Sequence, residues 1–165
     1  MAPLTTDRIT LTKLLGLKSH PVAVVKVIAG GMICANAAGF AAPAADTAGF
    51  RMLGVGKETV DNSAGVAGDL NVKVEVPILA LLGATSITQA MVGDMMYVVD
   101  DQTFDDTKGT NGVKAGILVE YVSATEGWIL IKEAGVGAVL ADAGATYTAA
   151  EQNLINELKV VVNNL

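Results

Sequence analysis

Residues 54–77, GVGKETVDNSAGVAGDLNVKVEVP, decide the reading of this chain. Val72, Val74 and Val76 alternate with Lys73 and Glu75, a period of two that predicts a β-strand with one buried and one wetted face. Ahead of it, Asp61, Asn62, Ser63 and Asp69 supply turn-forming side chains, and Gly65 and Gly68 supply backbone freedom. The chain is therefore expected to leave one strand near Val60 and to re-enter the next near Leu70, a hairpin with a long polar connection.

Working outward, the same grammar repeats. The run VAVVKVI over residues 22–28 is nearly continuous and β-branched, as in a strand buried on both faces. Met32–Ala35 and Phe40–Ala42 flank Asn36-Ala37-Ala38-Gly39, a connection of hairpin length. Arg51–Val60 is the incoming strand of the central hairpin. Ile78–Leu82 continues the apolar run past a bulge at Pro77, and Thr85–Met91 has weak helical character. Met95–Val99 forms a short strand, and Val113–Val122 with Trp128–Lys132 forms a third hairpin around residues 123–127. Short strands at near-even spacing predict a mainly β fold, a compact antiparallel β-barrel or sandwich.

The two ends of the chain differ from this body, which spans residues 21–134. Residues 1–20 form an N-terminal arm in which Ile9 and Leu11 alternate with threonines and Leu14 and Leu15 follow. Such a segment serves either as an edge strand of its own domain or as an arm added to a neighbour's sheet. Residues 135–165 hold a Gly/Ala linker and then Thr148-Ala149-Ala150-Glu151, a capping box that opens a helix. Leu154, Leu158, Val161 and Leu165 recur at spacings of four and three, the stripe of an amphipathic helix. A helix of this length is stable only when docked, on the body or on another copy.

Composition bounds the function. Of 165 residues, 52% are apolar, while 17% are charged and 4% aromatic, so the apolar content is carried by alanine, valine and other small side chains. Thin charge cover over so much apolar material implies surface meant to be covered by protein. A net charge of −6 with no dense Lys/Arg cluster argues against nucleic acid as a direct partner. Cys34 is the single cysteine and lies in an apolar run, where it reads as a small buried hydrophobe. The N-terminus lacks the pattern of a signal peptide and no window approaches the apolar length of a membrane span, so a soluble, unsecreted protein is expected.

Catalytic and ligand motifs are tested and rejected. Asp100, Asp101, Asp105 and Asp106 do not follow the alternating ligand pattern of a calcium loop and read as a solvated turn. Gly54-Val55-Gly56-Lys57 lacks both the glycine spacing and the Ser/Thr of a phosphate loop. Ser63 lacks the glycine of a nucleophile elbow, and His20, the single histidine, is the only base. No catalytic residue, cofactor site or metal site is nominated, and no enzyme activity is expected.

With those hairpins in view, the sequence resembles the small head decoration, or capsid cement, proteins of tailed bacteriophages. The similarity lies in AGGMICANAAGFAAP (residues 29–43), in the 54–77 unit, and in VGDMMYVVDDQTF (residues 92–104), within a span from about Val22 to Lys132. The resemblance implies a β-barrel-like body on the outer surface of a virion capsid, made in the host cytoplasm, often a homotrimer, with the major capsid protein as partner. Ile9, Leu11, Leu14 and Leu15 are expected to contact neighbours, and Leu154, Leu158 and Val161 to form an oligomer or docking face. The alternative is a β-barrel module that binds a small ligand or glycan.

Overall fold

A computed structural model describes residues 12–13 and 16–132. The strands are β1 (Thr12–Lys13), β2 (Leu17–Pro21), β3 (Lys26–Val27), β4 (Met32–Ala35), β5 (Ala41–Pro43), β6 (Arg51–Gly56), β7 (Val60–Asp61), β8 (Asn71–Glu75), β9 (Ile78–Ala84), β10 (Met95–Val98), β11 (Thr103–Asp105), β12 (Lys114–Ser123) and β13 (Glu126–Ile131), with a single 3₁₀ turn at Gln89–Met91.

Two sheets carry the fold. One runs β1-β9-β11-β10-β12-β13, and because β9 also pairs β13, its five longer strands close into a barrel. Closure removes both edges. The barrel pairings are antiparallel except where β11 meets β9 in parallel, with Thr103 opposite Gly83 and Phe104 opposite Ala84. The other sheet is open, in the order β2-β8-β6-β4-β5. The three segments that carry the phage resemblance map onto β4–β5, onto β6–β8 and onto β10–β11.

Alternation along each strand sorts side chains between two cores. Ile78, Ala80, Leu82 and Ala84 of β9, Ile129 and Ile131 of β13, and Leu118, Met96 and Phe104 fill the barrel interior. Met32, Cys34, Met52 and Val55 of the open sheet join the same cluster, so one face of that sheet packs on the barrel. Its other face, with Ile33, Val72 and Val74, forms a smaller core with Val22, Val27 and Ala41. The layers are also tied at the surface. Asp46 accepts from the backbone N–H of Asn111 (3.0 Å) and of Val113 (3.3 Å), and Asn111 Nδ2 donates to the Asp46 carbonyl (2.7 Å). The backbone N–H donors to the carboxylate, that of Asn111 first, hold the Asp46 carboxyl below its usual range.

The hairpins at Asn36–Gly39 and at residues 123–127 are present as β4–β5 and β12–β13. Asn36 Oδ1 accepts from the N–H of Ala38 and of Phe40 (both 3.0 Å), and Gly39 takes a φ of 90°, which explains why this turn needs those two residue types. Three expectations are corrected. Residues 22–28 are not one strand: the chain turns at Ala23–Val25, where Val25 N–H donates to the Ala23 carbonyl (2.8 Å), and only Lys26–Val27 is strand. Arg51–Val60 is broken after Gly56, and its last residue pairs β3 rather than β8. Pro77 marks no bulge; β8 and β9 on either side of it belong to different sheets.

Glu75 departs from the expected wetted face. It is fully buried on the side of β8 that faces the barrel, with Lys57 Nζ 2.9 Å from Oε2. The contact is Coulombic, because neither carboxylate oxygen receives a well-angled hydrogen bond.

Cys34 is buried at 0% exposure, and that burial raises its thiol pKa to about 12. Held well above the ordinary thiol value of 9.0, the group stays protonated through the neutral range. A thiol reagent at pH 8 is expected to leave Cys34 unmodified in the native protein and to modify it fully in denaturant. Rapid labelling of the native protein would contradict this burial.

Candidate interaction surface

The 62–70 connection folds around one side chain. Asn62 is 2% exposed, and its Nδ2 donates to the carbonyls of Val22 (3.2 Å), Ala23 (3.0 Å) and Val66 (2.8 Å). The amide thereby adds a donor to two carbonyls at the turn that interrupts residues 22–28, which also accept from the N–H of Gly68 and of Val25, and it pins that turn to the 62–70 connection. Gly68 N–H donates to the Val22 carbonyl (2.9 Å), and Val22 N–H donates to the Leu70 carbonyl (2.8 Å). Asp69 Oδ2 accepts from Val66 N–H (2.8 Å). At the approach to the loop, Asp61 Oδ1 accepts from Ser63 Oγ (2.5 Å) and Ser63 N–H (3.1 Å), which lowers the Asp61 pKa.

The product is a hydrogen-bonded platform that points aliphatic groups at solvent. Val66 is 67% exposed, Val24 49% and Leu70 44%, on segments joined by the bonds just described. Apolar side chains are common singly at surfaces, but here three are carried by one ordered loop system. Gly68 takes a φ of 93° and lies against Phe40, so the tip of the β4–β5 hairpin abuts the same loop.

β2 extends this surface as an edge. Val76 N–H donates to the Gly16 carbonyl (3.2 Å) and Val22 N–H to that of Leu70 (2.8 Å), at matching positions on either side of the β2–β8 register. Alternation then turns the backbone groups of Lys18 and His20 toward β8, and those of Leu17 and Ser19 outward. Among the described residues no strand pairs the outer side of β2. Leu17 is 54% exposed there, while Lys18 and Pro21 are edge residues of the kind that limit indiscriminate pairing.

The residues nominated from sequence, Ile9, Leu11, Leu14, Leu15, Leu154, Leu158 and Val161, lie outside the described residues. Val24, Val66, Leu70 and Leu17 were not nominated. The signal was available for Val66 and Leu70, which are isolated aliphatics in an otherwise polar, Gly-rich connection. The aspartates at 100–106 serve turns: Asp100 Oδ1 accepts from Gln102 N–H (3.0 Å) and Asp105 Oδ1 from Thr107 N–H (3.2 Å). Desolvation first, then the neighbouring Asp106, raises the Asp105 pKa. Asp101 is buried rather than solvated, and no group of three potential metal ligands occurs among the described residues.

Replacing Asn62 with alanine removes the side-chain donor shared by the carbonyls of Val22, Ala23 and Val66, which keep only their backbone donors (the N–H of Gly68, Val25 and Asp69), and each hydrogen bond lost costs about 0.5–1.5 kcal/mol. The Asn62→Ala protein is expected to lose about 2–3 kcal/mol of stability and to exchange the Gly68 amide much faster than wild type. Denaturant melts and amide exchange measure both; unchanged exchange at Gly68 would mean that the loop does not depend on Asn62.

No family model, no curated protein and no solved structure matches this chain.

Proposed function

We propose that this chain is a structural protein of a phage virion that decorates the outer capsid and stabilises it by bridging major capsid subunits, acting as a homo-oligomer. The observation that carries the reading is the Asn62-ordered loop with Val66, Leu70 and Val24 exposed. Ordering a surface before contact removes part of the entropy cost of binding, and exposed aliphatics on an ordered platform supply the area to be desolvated. The edge of β2 adds outward backbone donors and acceptors for strand addition. Many copies, each making modest contacts to several capsomers, would hold a shell through multivalency rather than through any one tight interface. The sequence resemblance to head decoration proteins points the same way.

The alternative of a ligand- or glycan-binding barrel has less support. Phe104, Met96, Leu82, Leu118 and Ile129, all at 0% exposure, occupy the lumen that such a ligand would need.

Shells assembled from the major capsid protein of the same phage provide the test. The wild-type protein is expected to co-sediment with them saturably, and Val66→Asp with Leu70→Asp is expected to weaken attachment at least about tenfold, the equivalent of 1.4 kcal/mol, without altering the melting temperature. Equal attachment by the doubly substituted protein would remove this surface from the account.

A further inference from the structure

The outer wall of the barrel carries a second apolar surface, distinct from the loop platform. On β9, Leu79 and Leu81 alternate with the buried Ile78, Ala80 and Leu82, so they point away from the lumen. On β13, Trp128 and Leu130 alternate in the same way with Gly127, Ile129 and Ile131. Register places them side by side: Trp128 opposite Leu81, Leu130 opposite Leu79, Ile117 opposite Leu130, and Met95 opposite Ile117. These six side chains form a band across four adjacent strands. Five are half-buried and Met95 is 37% exposed. None of the six belongs to either hydrophobic core or to the partly buried groups packed against one.

A strand apolar on both faces is the pattern of a sheet covered on both sides. The lumen accounts for one face of β9 and β13, and the band needs a cover of its own.

We propose that the band is the docking site for the amphipathic segment 148–165 of the same chain, seated through Leu154, Leu158 and Val161. The described body ends at Lys132, immediately after β13, so residues 133–165 start beside the band. Residues 133–147 are rich in glycine and alanine, and a flexible connection of that length costs little to close. As a helix, 148–165 would be about 27 Å long, against about 20 Å for the six residues of β13, so one segment can span the wall. Its stripe, which continues to Leu165, supplies the apolar side chains that the wall leaves uncovered, and docking there supplies the support a single short helix lacks. This inference is independent of the proposed role in a virion.

Trp128 is the only tryptophan and stands in the band, so its fluorescence reports the cover directly. In the wild-type full chain, Trp128 is expected to emit at short wavelength and to resist acrylamide, and both properties should survive dilution. The full chain with Leu154→Asp and Leu158→Asp is expected to show red-shifted emission and an acrylamide quenching constant at least about twofold higher, while Cys34 stays unreactive to thiol reagent and so certifies an intact body. Gln152→Asp with Asn163→Asp, off the stripe, should leave Trp128 unchanged. A wild-type Trp128 quenched as freely as an exposed indole would overturn the proposal, with or without the variants. So would an unchanged quenching constant in the Leu154/Leu158 variant. Shielding lost on dilution would assign the cover to another copy and overturn docking within one chain.

Discussion

Phe104→Ala is expected to lower the stability of the body by about 3–5 kcal/mol and its melting temperature by about 10–15 °C. Phe104 is fully buried, and it sits on β11, the strand that completes the barrel by meeting both β10 and β9. Its carbonyl accepts from Thr85 N–H (3.0 Å) just beyond the parallel contact of Phe104 with Ala84. Truncation therefore opens a cavity where closure has least redundancy, because β11 has three residues and few other anchors. Val99→Ala is the comparison: Val99 is 42% exposed beside the same turn, and its truncation should cost under about 0.5 kcal/mol. Thermal and denaturant melts of the two proteins measure the contrast; similar losses in both would mean that β11 is not what holds the barrel shut.

The second large effect concerns Glu75, the buried carboxylate on the barrel-facing side of β8. Lys57→Met removes the cation 2.9 Å from Glu75 and leaves the carboxylate in an apolar layer. Deleting one partner of a buried pair costs about 3–5 kcal/mol. Because the Lys57 side chain is 36% exposed, water can partly replace it, and the expected loss is near the lower end, about 3 kcal/mol. Lys57→Met combined with Glu75→Met should recover most of that loss, since well-packed apolar replacements of buried pairs are often neutral or stabilising. The double-mutant cycle is read from denaturant midpoints. A Lys57→Met protein as stable as wild type would show that Glu75 is compensated by something other than Lys57.

Local features of the fold were legible in the sequence, and long-range ones were not. Asn36 and Gly39 announce the β4–β5 turn because that turn uses an Asx side chain and a positive φ, both properties of single residues. Val72, Val74 and Val76 announce a buried face for the same local reason. The run 22–28 misled, since β-branched composition cannot register a turn that Asn62, some forty residues away, pins to the 62–70 connection through the carbonyls of Val22 and Ala23. Glu75 misled as well: alternation assigns it a face, but only the placement of the barrel decides that this face is dry. The parallel closure of β9 with β11 depends on where two short strands end up after a chain excursion, and no periodicity encodes it.

The candidate surface divides along the same line. Exposed aliphatics such as Val66 and Leu70 can be found in sequence as apolar residues out of place in a turn-rich stretch. Their significance depends on Asn62, whose three bonds make the loop a platform. The apolar outer wall required the strand register, because Leu79, Leu81, Trp128 and Leu130 look like ordinary core residues until the lumen is seen to be filled by their neighbours.

Hydrogen–deuterium exchange of the full chain, free and bound to capsid shells, reads the proposed contact amide by amide. Exchange is expected to slow on binding at the amides of residues 17–24 and 62–70, with the barrel interior unchanged. Exchange that is identical in the two states across those residues, with the protein nonetheless sedimenting with the shells, would contradict that contact.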